Sequence, residues 1–268
     1  MSLIEEAPSI LTREDGATIA YRRNAGKAPT VVFLGGFMSD MSGTKATRLH
    51  EFCATRGHAF VRFDYFAHGL SSGDFAVATV GRWKDDALAV IDRLTEGPLV
   101  LVGSSIGGWI MCLAALARPE RVSALVGIAA APDATEALMW PRLPPPVREQ
   151  IMRNGAARVP SAYASEGYLI TRALLEDGRR NLLPPAPKIA CPVRLLHGME
   201  DPDVPYRTCL DLAQKLAAPD VQVILVKDGD HRLSREQDLD LLLRTLAPLL
   251  EPRHESGAAA RMAASPSR

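Results

Sequence analysis

The sequence predicts an α/β fold: a mostly parallel central sheet with helices on both faces, interrupted by one helical insertion. Three observations carry this. Short β-branched apolar runs alternate with longer stretches of helical period. The runs at 30–34 and 98–102 lack the polar alternation of a half-solvated strand, so they read as strands buried on both sides. The alternation then stops at 132–187, where Pro141, Pro144, Pro145 and Pro146 open a stretch that Pro184, Pro185 and Pro187 close.

Taken in order, residues 9–23 read as a hairpin turning near Asp15-Gly16. Strands follow at 30–34 and 58–65. A helix at 83–94 places Trp83, Ala87, Val90, Ile91 and Leu94 on one face. A strand at 98–102, a helix at 108–117 and a strand at 123–129 come next. After the insertion, strands at 193–196 and 221–226 flank a helix at 206–216, and a helix at 239–250 closes the fold. Ser234-Arg235-Glu236-Gln237 reads as the capping box of that last helix. The core is therefore 1–131 plus 188–250. Residues 132–187 form a cap without a clear strand, expected to lie over the site and shape substrate access. The Ala-, Ser-, Gly- and Arg-rich segment 251–268 is expected to be a disordered tail.

The 268 residues suit one large domain, and 31 basic residues balance 31 acidic ones to a formal net charge of +0. No basic stripe points to nucleic acid. Cys53, Cys112, Cys191 and Cys209 form no C-x-x-C pair and read as reduced, mostly buried thiols. No apolar run reaches transmembrane length, and the acidic start has neither a signal-peptide core nor an Arg-rich transit pattern. A cytoplasmic protein without stable membrane insertion is expected. No cofactor motif or metal-ligand spacing is present, so neither a cofactor nor a metal is expected.

Ser105 lies in Gly103-Ser104-Ser105-Ile106-Gly107, between a predicted strand and a predicted helix. This is the setting of a nucleophile elbow, a strained turn that needs small flanking residues and presents a hydroxyl at a helix N-terminus. A serine hydroxyl needs a base, and the base needs an orienting acid, in the chain order Ser, Asp or Glu, His. His231, on the loop after the strand at 221–226, is the best base. Asp201, in His197-Gly198-Met199-Glu200-Asp201-Pro202-Asp203, is the best acid. Asp203 and Glu200 are its rivals, and Asp203 could instead cap the helix that follows. The N–H groups of Phe37, after Gly35-Gly36, and of Ile106 are the candidate oxyanion donors. His197 reads as structural and His68 as bonded within its own loop. Ser104 is expected to point away, and His50 and His58 to lie on the surface near a helix end.

These features together resemble the α/β-hydrolase fold family over residues 10–250. A narrower likeness is carried by Ser42-Gly43-Thr44-Lys45-Ala46, Phe63-Asp64-Tyr65, Gly103-Ser104-Ser105-Ile106-Gly107-Gly108-Trp109, Ala117-Arg118-Pro119-Glu120, Arg194-Leu195-Leu196-His197-Gly198-Met199 and Asp230-His231-Arg232. These runs are similar to mitochondrial palmitoyl-protein thioesterases of the acyl-glucuronide esterase type. The resemblance implies a serine thioesterase or carboxylesterase, with Ser105, Asp201 and His231 carried over. It further implies a small-molecule ester or acyl-thioester substrate, or an S-acylated protein, and a mitochondrial matrix address for a processed eukaryotic form. The segment around Met139-Trp140-Pro141 departs from it in being Pro- and Arg-rich. Met139, Trp140, Leu143 and Tyr163 are expected to accept an acyl chain, and Arg153, Arg158 or Arg172 an anionic substituent. The competing readings are a peptidase or another chemistry on the same fold, and a non-catalytic ligand-binding module. Epoxide hydrolases and haloalkane dehalogenases are set aside, because their elbow carries Asp where this chain has Ser105.

Overall fold

The computed structural model describes residues 7–161 and 165–251. The expected tail therefore lies outside the described residues, apart from Glu251, and so does Tyr163. The chain opens with β1 (Ser9–Thr12) and β2 (Thr18–Asn24), an antiparallel pair. Then come β3 (Lys27–Leu34), α1 (Thr44–Thr55), β4 (His58–Phe63), α2 (Val80–Leu94), β5 (Leu99–Ser104), α3 (Ile106–Ala117) and β6 (Val122–Ile128). A helical turn at Thr135–Met139 leads into α4 (Trp140–Arg142) and α5 (Pro145–Asn154). The hairpin β7 (Ala156–Val159) and β8 (Tyr168–Thr171) and then α6 (Arg172–Arg180) follow. The chain returns to the main sheet with β9 (Val193–Gly198), α7 (Arg207–Lys215), β10 (Val221–Val226) and α8 (Glu236–Leu250).

The main sheet has eight strands in the order β1-β2-β4-β3-β5-β6-β9-β10, and neighbours from β4 to β10 run parallel. Period-two side-chain alternation splits its core into two layers. Val32, Leu34, Leu99 and Leu101 pack with Trp83, Val90 and Ile91 of α2 and with Trp109 and Ile110 of α3. Val31, Phe33, Val100 and Val102 pack with Leu49 and Cys53 of α1 and with Leu242 and Leu246 of α8. Helix α2 starts where Thr79 Oγ1 accepts the Arg82 N–H at 3.2 Å, and its buried face is the one its spacing predicts, except that Leu94 is only partly buried. The four cysteines are free. Burial pushes the Cys53 and Cys112 thiols up to about 12, so both are inert.

Between β6 and β9 the chain builds a small core of its own, from Leu143, Ile151, Ala157, Ile170 and Leu175. Phe37, from the loop after β3, packs against that core and against the main one. The hairpin β7–β8 corrects the expectation of no strand here. Each strand has four residues, too few for a period to show, and Pro160 and Gly167 lie between them. Gly167 takes φ +72 with its α-carbon face against Val159 O, a position closed to a side chain.

Two further expectations need correction. His58 is buried (1% exposed) where it opens β4, its backbone paired with Lys27 of β3 and packed against Gly26, and its carbonyl accepting from the Asn24 amide at 2.7 Å; His50 lies within α1, half-buried against the Phe60 ring. Ser234 does not cap α8. The cap residue is Arg235, whose N–H the Asp238 carboxylate accepts at 3.1 Å, while Ser234 Oγ turns back to Arg232 O.

Leu101 sits fully buried in the middle of the sheet, packed in the main core. Leu101→Ala should lower unfolding stability by about 2–5 kcal/mol in urea titration, with an unchanged m-value. A loss below about 1 kcal/mol would contradict this packing.

Candidate active site

Ser105 follows β5 directly and takes φ +55, ψ −123, a backbone conformation rare for a residue with a side chain. Three hydrogen bonds hold it there. Ser105 N–H donates to Ile128 O at 2.9 Å, and Ser105 O accepts from Gly108 at 2.9 Å and Ala131 at 3.0 Å. The flanking glycines permit the turn. A methyl group on Gly103 would stand 2.4 Å from Gly107 O, and one on Gly107 would stand 2.2 Å from Leu34 O. The strand-to-helix reversal therefore presses α3 onto the end of β3, and the Ser105 side chain is left at the N-terminus of α3.

The loops after β9 and β10 are joined in the same way. A side chain on Gly198 would meet Gly229 O at 2.2 Å, while Met199 and Glu200 N–H groups donate to Val226 O and Gly229 O at 2.8 and 3.0 Å. This brings His231 Nδ1 to 2.7 Å from Asp201 Oδ2 and His231 Nε2 to 3.1 Å from Ser105 Oγ. Asp201 Oδ1 accepts the N–H groups of Asp203 and Val204 at 2.8 and 2.9 Å, which locks the carboxylate plane. Of the rivals, Glu200 is exposed, and Asp203 contributes its backbone to Asp201 rather than capping α7, which begins without a side-chain cap.

His197 does more than its structural reading predicts. It is fully buried, and its Nε2 lies 2.9 Å from Val204 O and 3.2 Å from the Asp201 oxygen that faces His231. Burial alone would lower its pKa, but hydrogen bonds to Asp201, Cys209 and Val204 O outweigh that and push it up to about 9. Burial likewise works to raise the Asp201 carboxyl; the bonds from His197, His231 and Val204 hold it well below the usual carboxylate range. Only the position of His197 at the end of a strand, four residues before Asp201, could have signalled this from the sequence.

The loop after β3 runs alongside Ser105, since a methyl group on Gly36 would touch Ser105 Cβ at 3.4 Å. Among the described residues, no backbone carbonyl takes up the N–H of Phe37 or of Ile106. The Phe37 ring is pinned edge-on by Phe75, Trp83 and Tyr168, with centroids 5.3, 6.0 and 5.2 Å away. His68 bonds within its loop, through Nδ1 to Phe66 O at 3.1 Å, and also reaches out of it to accept the Met38 N–H.

Ser105 and His231 open into a cavity of about 620 Å³. Leu138, Met139, Leu143, Val159, Tyr168 and Ile170, all from the stretch between β6 and β9, make its apolar wall. Ser104 borders the cavity and is mostly buried. Trp140 is not part of the lining; it is held between Arg148 and Arg179. Arg153, Arg158 and Arg172 do not line the cavity either, the last two being paired with Glu166 and Glu176. The cationic groups that do are Lys45, Arg142 and Arg232. Lys45 Nζ donates to Arg232 O, and burial together with the Arg232 charge pulls its amine down to about 8. Asp201, Asp203 and His231 form the one group among the described residues whose ligand atoms could meet a metal, within 4.8 Å. Two of the three already bond to each other.

The raised His197 pKa makes a prediction about stability. A group with a raised folded pKa stabilises fully below its unfolded value, here 6.5, and loses that contribution as pH rises through about 9. The deficit of His197→Gln relative to wild type, from urea unfolding at pH 6, 8 and 10, should therefore be largest at pH 6 and shrink by pH 10. A deficit independent of pH would contradict the charge assignment.

Several known proteins are similar to this chain. The chain is 44% identical over 245 residues to the mouse protein named palmitoyl-protein thioesterase ABHD10, mitochondrial, covering 91% of this chain and 82% of the relative. The human protein of that name is 41% identical, covering 91% and 80%. The solved structure of mouse alpha/beta hydrolase domain-containing protein 10 superposes with a TM-score of 0.84 at 43% identity, covering 91% of this chain and 98% of that one. A solved protein from Agrobacterium vitis S4 gives 0.86 at 41% identity, covering 92% and 98%. The family model described as alpha/beta hydrolase family matches residues 31–245, and with that match and these relatives the chain belongs to the alpha/beta hydrolase family.

Proposed function

We propose that this chain is a serine hydrolase that cleaves thioester or carboxylic ester bonds through an acyl-enzyme on Ser105. The observation that carries the reading is the continuous hydrogen-bonded line from Asp201 through His231 to Ser105 Oγ at the mouth of an apolar cavity. His231 Nε2 takes the Ser105 proton as Oγ attacks the substrate carbonyl. The new oxyanion is held by the N–H groups of Phe37 and Ile106, each contributing about 3 kcal/mol. Collapse expels the thiolate or alcohol; His231 gives its proton to the departing alcohol, or to the released thiolate or solvent, and is then neutral and able to accept again. Water, deprotonated by His231, then releases the acid and restores Ser105 Oγ–H. Asp201 keeps His231 in the tautomer with Nε2 free to accept, and stabilises the imidazolium.

The residues between β6 and β9 act as a cap, and their apolar wall suits an acyl chain better than a peptide. The relatives named palmitoyl-protein thioesterase support the same substrate class, either a small acyl thioester or an S-acylated protein. Their mitochondrial naming supports the matrix alternative over a cytoplasmic address. Among the described residues, no helix is long and apolar enough to cross a membrane.

A fluorophosphonate probe tests the reading. Wild type should label at one serine and turn over a long-chain acyl thioester. Ser105→Ala should do neither, and Asp201→Asn should lose about 10⁴-fold in kcat with its fold intact. Unlabelled, folded wild type would overturn the assignment and leave a ligand-binding module, and a peptide preferred over acyl thioesters would overturn the substrate class.

A further inference from the structure

We propose that His68 is a positioning residue for the oxyanion loop, fixing the Phe37–Met38 peptide of the Gly36–Ser39 turn and, through it, the adjoining Gly36–Phe37 peptide that carries the donor N–H. The inference rests on the assignment of Ser105 as nucleophile and of Phe37 as an oxyanion donor.

The turn is defined by its own bonds. Ser39 N–H donates to Gly36 O at 3.2 Å, an i to i+3 bond, and Ser39 Oγ donates to the same oxygen at 2.8 Å. Met38, the third residue, takes φ +56, while Phe37, the second, is not in the positive-φ region. That combination is a type II turn. Type II turns favour glycine at the third position, and here the position holds methionine, which is strained there. Left alone, the sequence Gly-Phe-Met-Ser would relax by rotating the Phe37–Met38 peptide toward a type I turn, in which no residue needs positive φ.

Something must oppose that rotation, and the structure shows what does. His68 Nε2 accepts the Met38 N–H at 3.1 Å, and that N–H belongs to the peptide that would rotate. The imidazole is itself fixed. Its Nδ1 meets Phe66 O at 3.1 Å, so the ring proton lies on Nδ1 and Nε2 is an acceptor. His68 is 4% exposed, and its ring meets those of Trp83, Phe75 and Tyr65 at 5.2, 5.5 and 5.8 Å. The Phe37 ring rests on two of the same aromatics, Phe75 and Trp83, so one aromatic cluster fixes both the residue carrying the donor N–H and the histidine that holds its turn. His68 touches no reacting atom in this account. Its effect passes through the Met38 peptide.

The test compares His68→Leu, which fills the space without an acceptor, with His68→Gln, whose amide oxygen can stand near the Nε2 position. With an acyl thioester, His68→Leu should lower kcat about 100-fold with KM within about twofold, the loss expected when an oxyanion donor is misplaced. His68→Gln should stay within about 10-fold of wild type. Adding Met38→Gly to His68→Leu removes the strain at the third turn position and should recover kcat at least tenfold, a rescue that a purely packing role for His68 would not show. Met38 amide exchange, read by NMR, should be slow in wild type and in His68→Gln and fast in His68→Leu. A kcat for His68→Leu within threefold of wild type, or an equally protected Met38 amide, would overturn the proposal. If wild type turned over no ester, the nucleophile assignment would fail separately, and the Met38 amide would still decide whether His68 holds the turn.

Discussion

The close approach of three backbones governs the rest of the structure: the end of β3, the end of β5 and the first turn of α3. Gly107 lies so near Leu34 O and Gly35 O that no side chain fits, and Gly103 lies as near Gly107 O. This packing forces Ser105 to φ +55 and sets its hydroxyl beside the loop after β3. A strained residue persists only where its surroundings over-determine it. Here the bonds to Ile128 O and from Gly108 and Ala131 do so. The strain serves geometry, because the same crossing that exposes the hydroxyl also brings in the free N–H groups of Phe37 and Ile106.

A second close approach, Gly198 on Gly229, does for His231 and Asp201 what the first does for Ser105. Parallel strands β9 and β10 would in any case deliver their following loops to the same sheet end. The glycine contact turns that rough proximity into a 2.7 Å bond between His231 and Asp201. Phe37 then links the two halves of the molecule. It follows Gly36, which lies against Ser105, and its ring packs against Trp83 of the main core and Tyr168 of the stretch between β6 and β9. A shift of that stretch would therefore be felt at the loop after β3, beside Ser105.

Much of this was legible in the sequence because it rests on local signals. The apolar run before Ser105, the glycines on either side and the chain order of Ser105, Asp201 and His231 all follow from neighbours in the chain, and the structure brings the three side chains within hydrogen-bonding reach. What the sequence hid was long-range. The hairpin β7–β8 is too short to show a period. His58 reads as a surface residue because nothing local announces that Gly26 and Lys27, at the start of another strand, will pack against it. The arginines at 153, 158 and 172 look available for substrate, yet Lys45, Arg142 and Arg232 reach the cavity, because which cations face inward depends on how the insertion folds back. His197, at the end of β9, and His68, in its loop, show no second partner to a reading of the sequence: the contact with Asp201 Oδ2 needs the turn after β9 to fold back on the strand, and the Met38 N–H comes from a loop far away in the chain.

The central claim is that Ser105 carries the acyl group between the two half-reactions. Acid quenching within milliseconds of mixing with a palmitoyl thioester, followed by intact-protein and peptide mass spectrometry, tests it most directly. The account predicts one added acyl mass, confined to the peptide containing Ser105 and absent in Ser105→Ala. Turnover without any acylated intermediate, or an acyl group found on another residue such as Lys45, would contradict it.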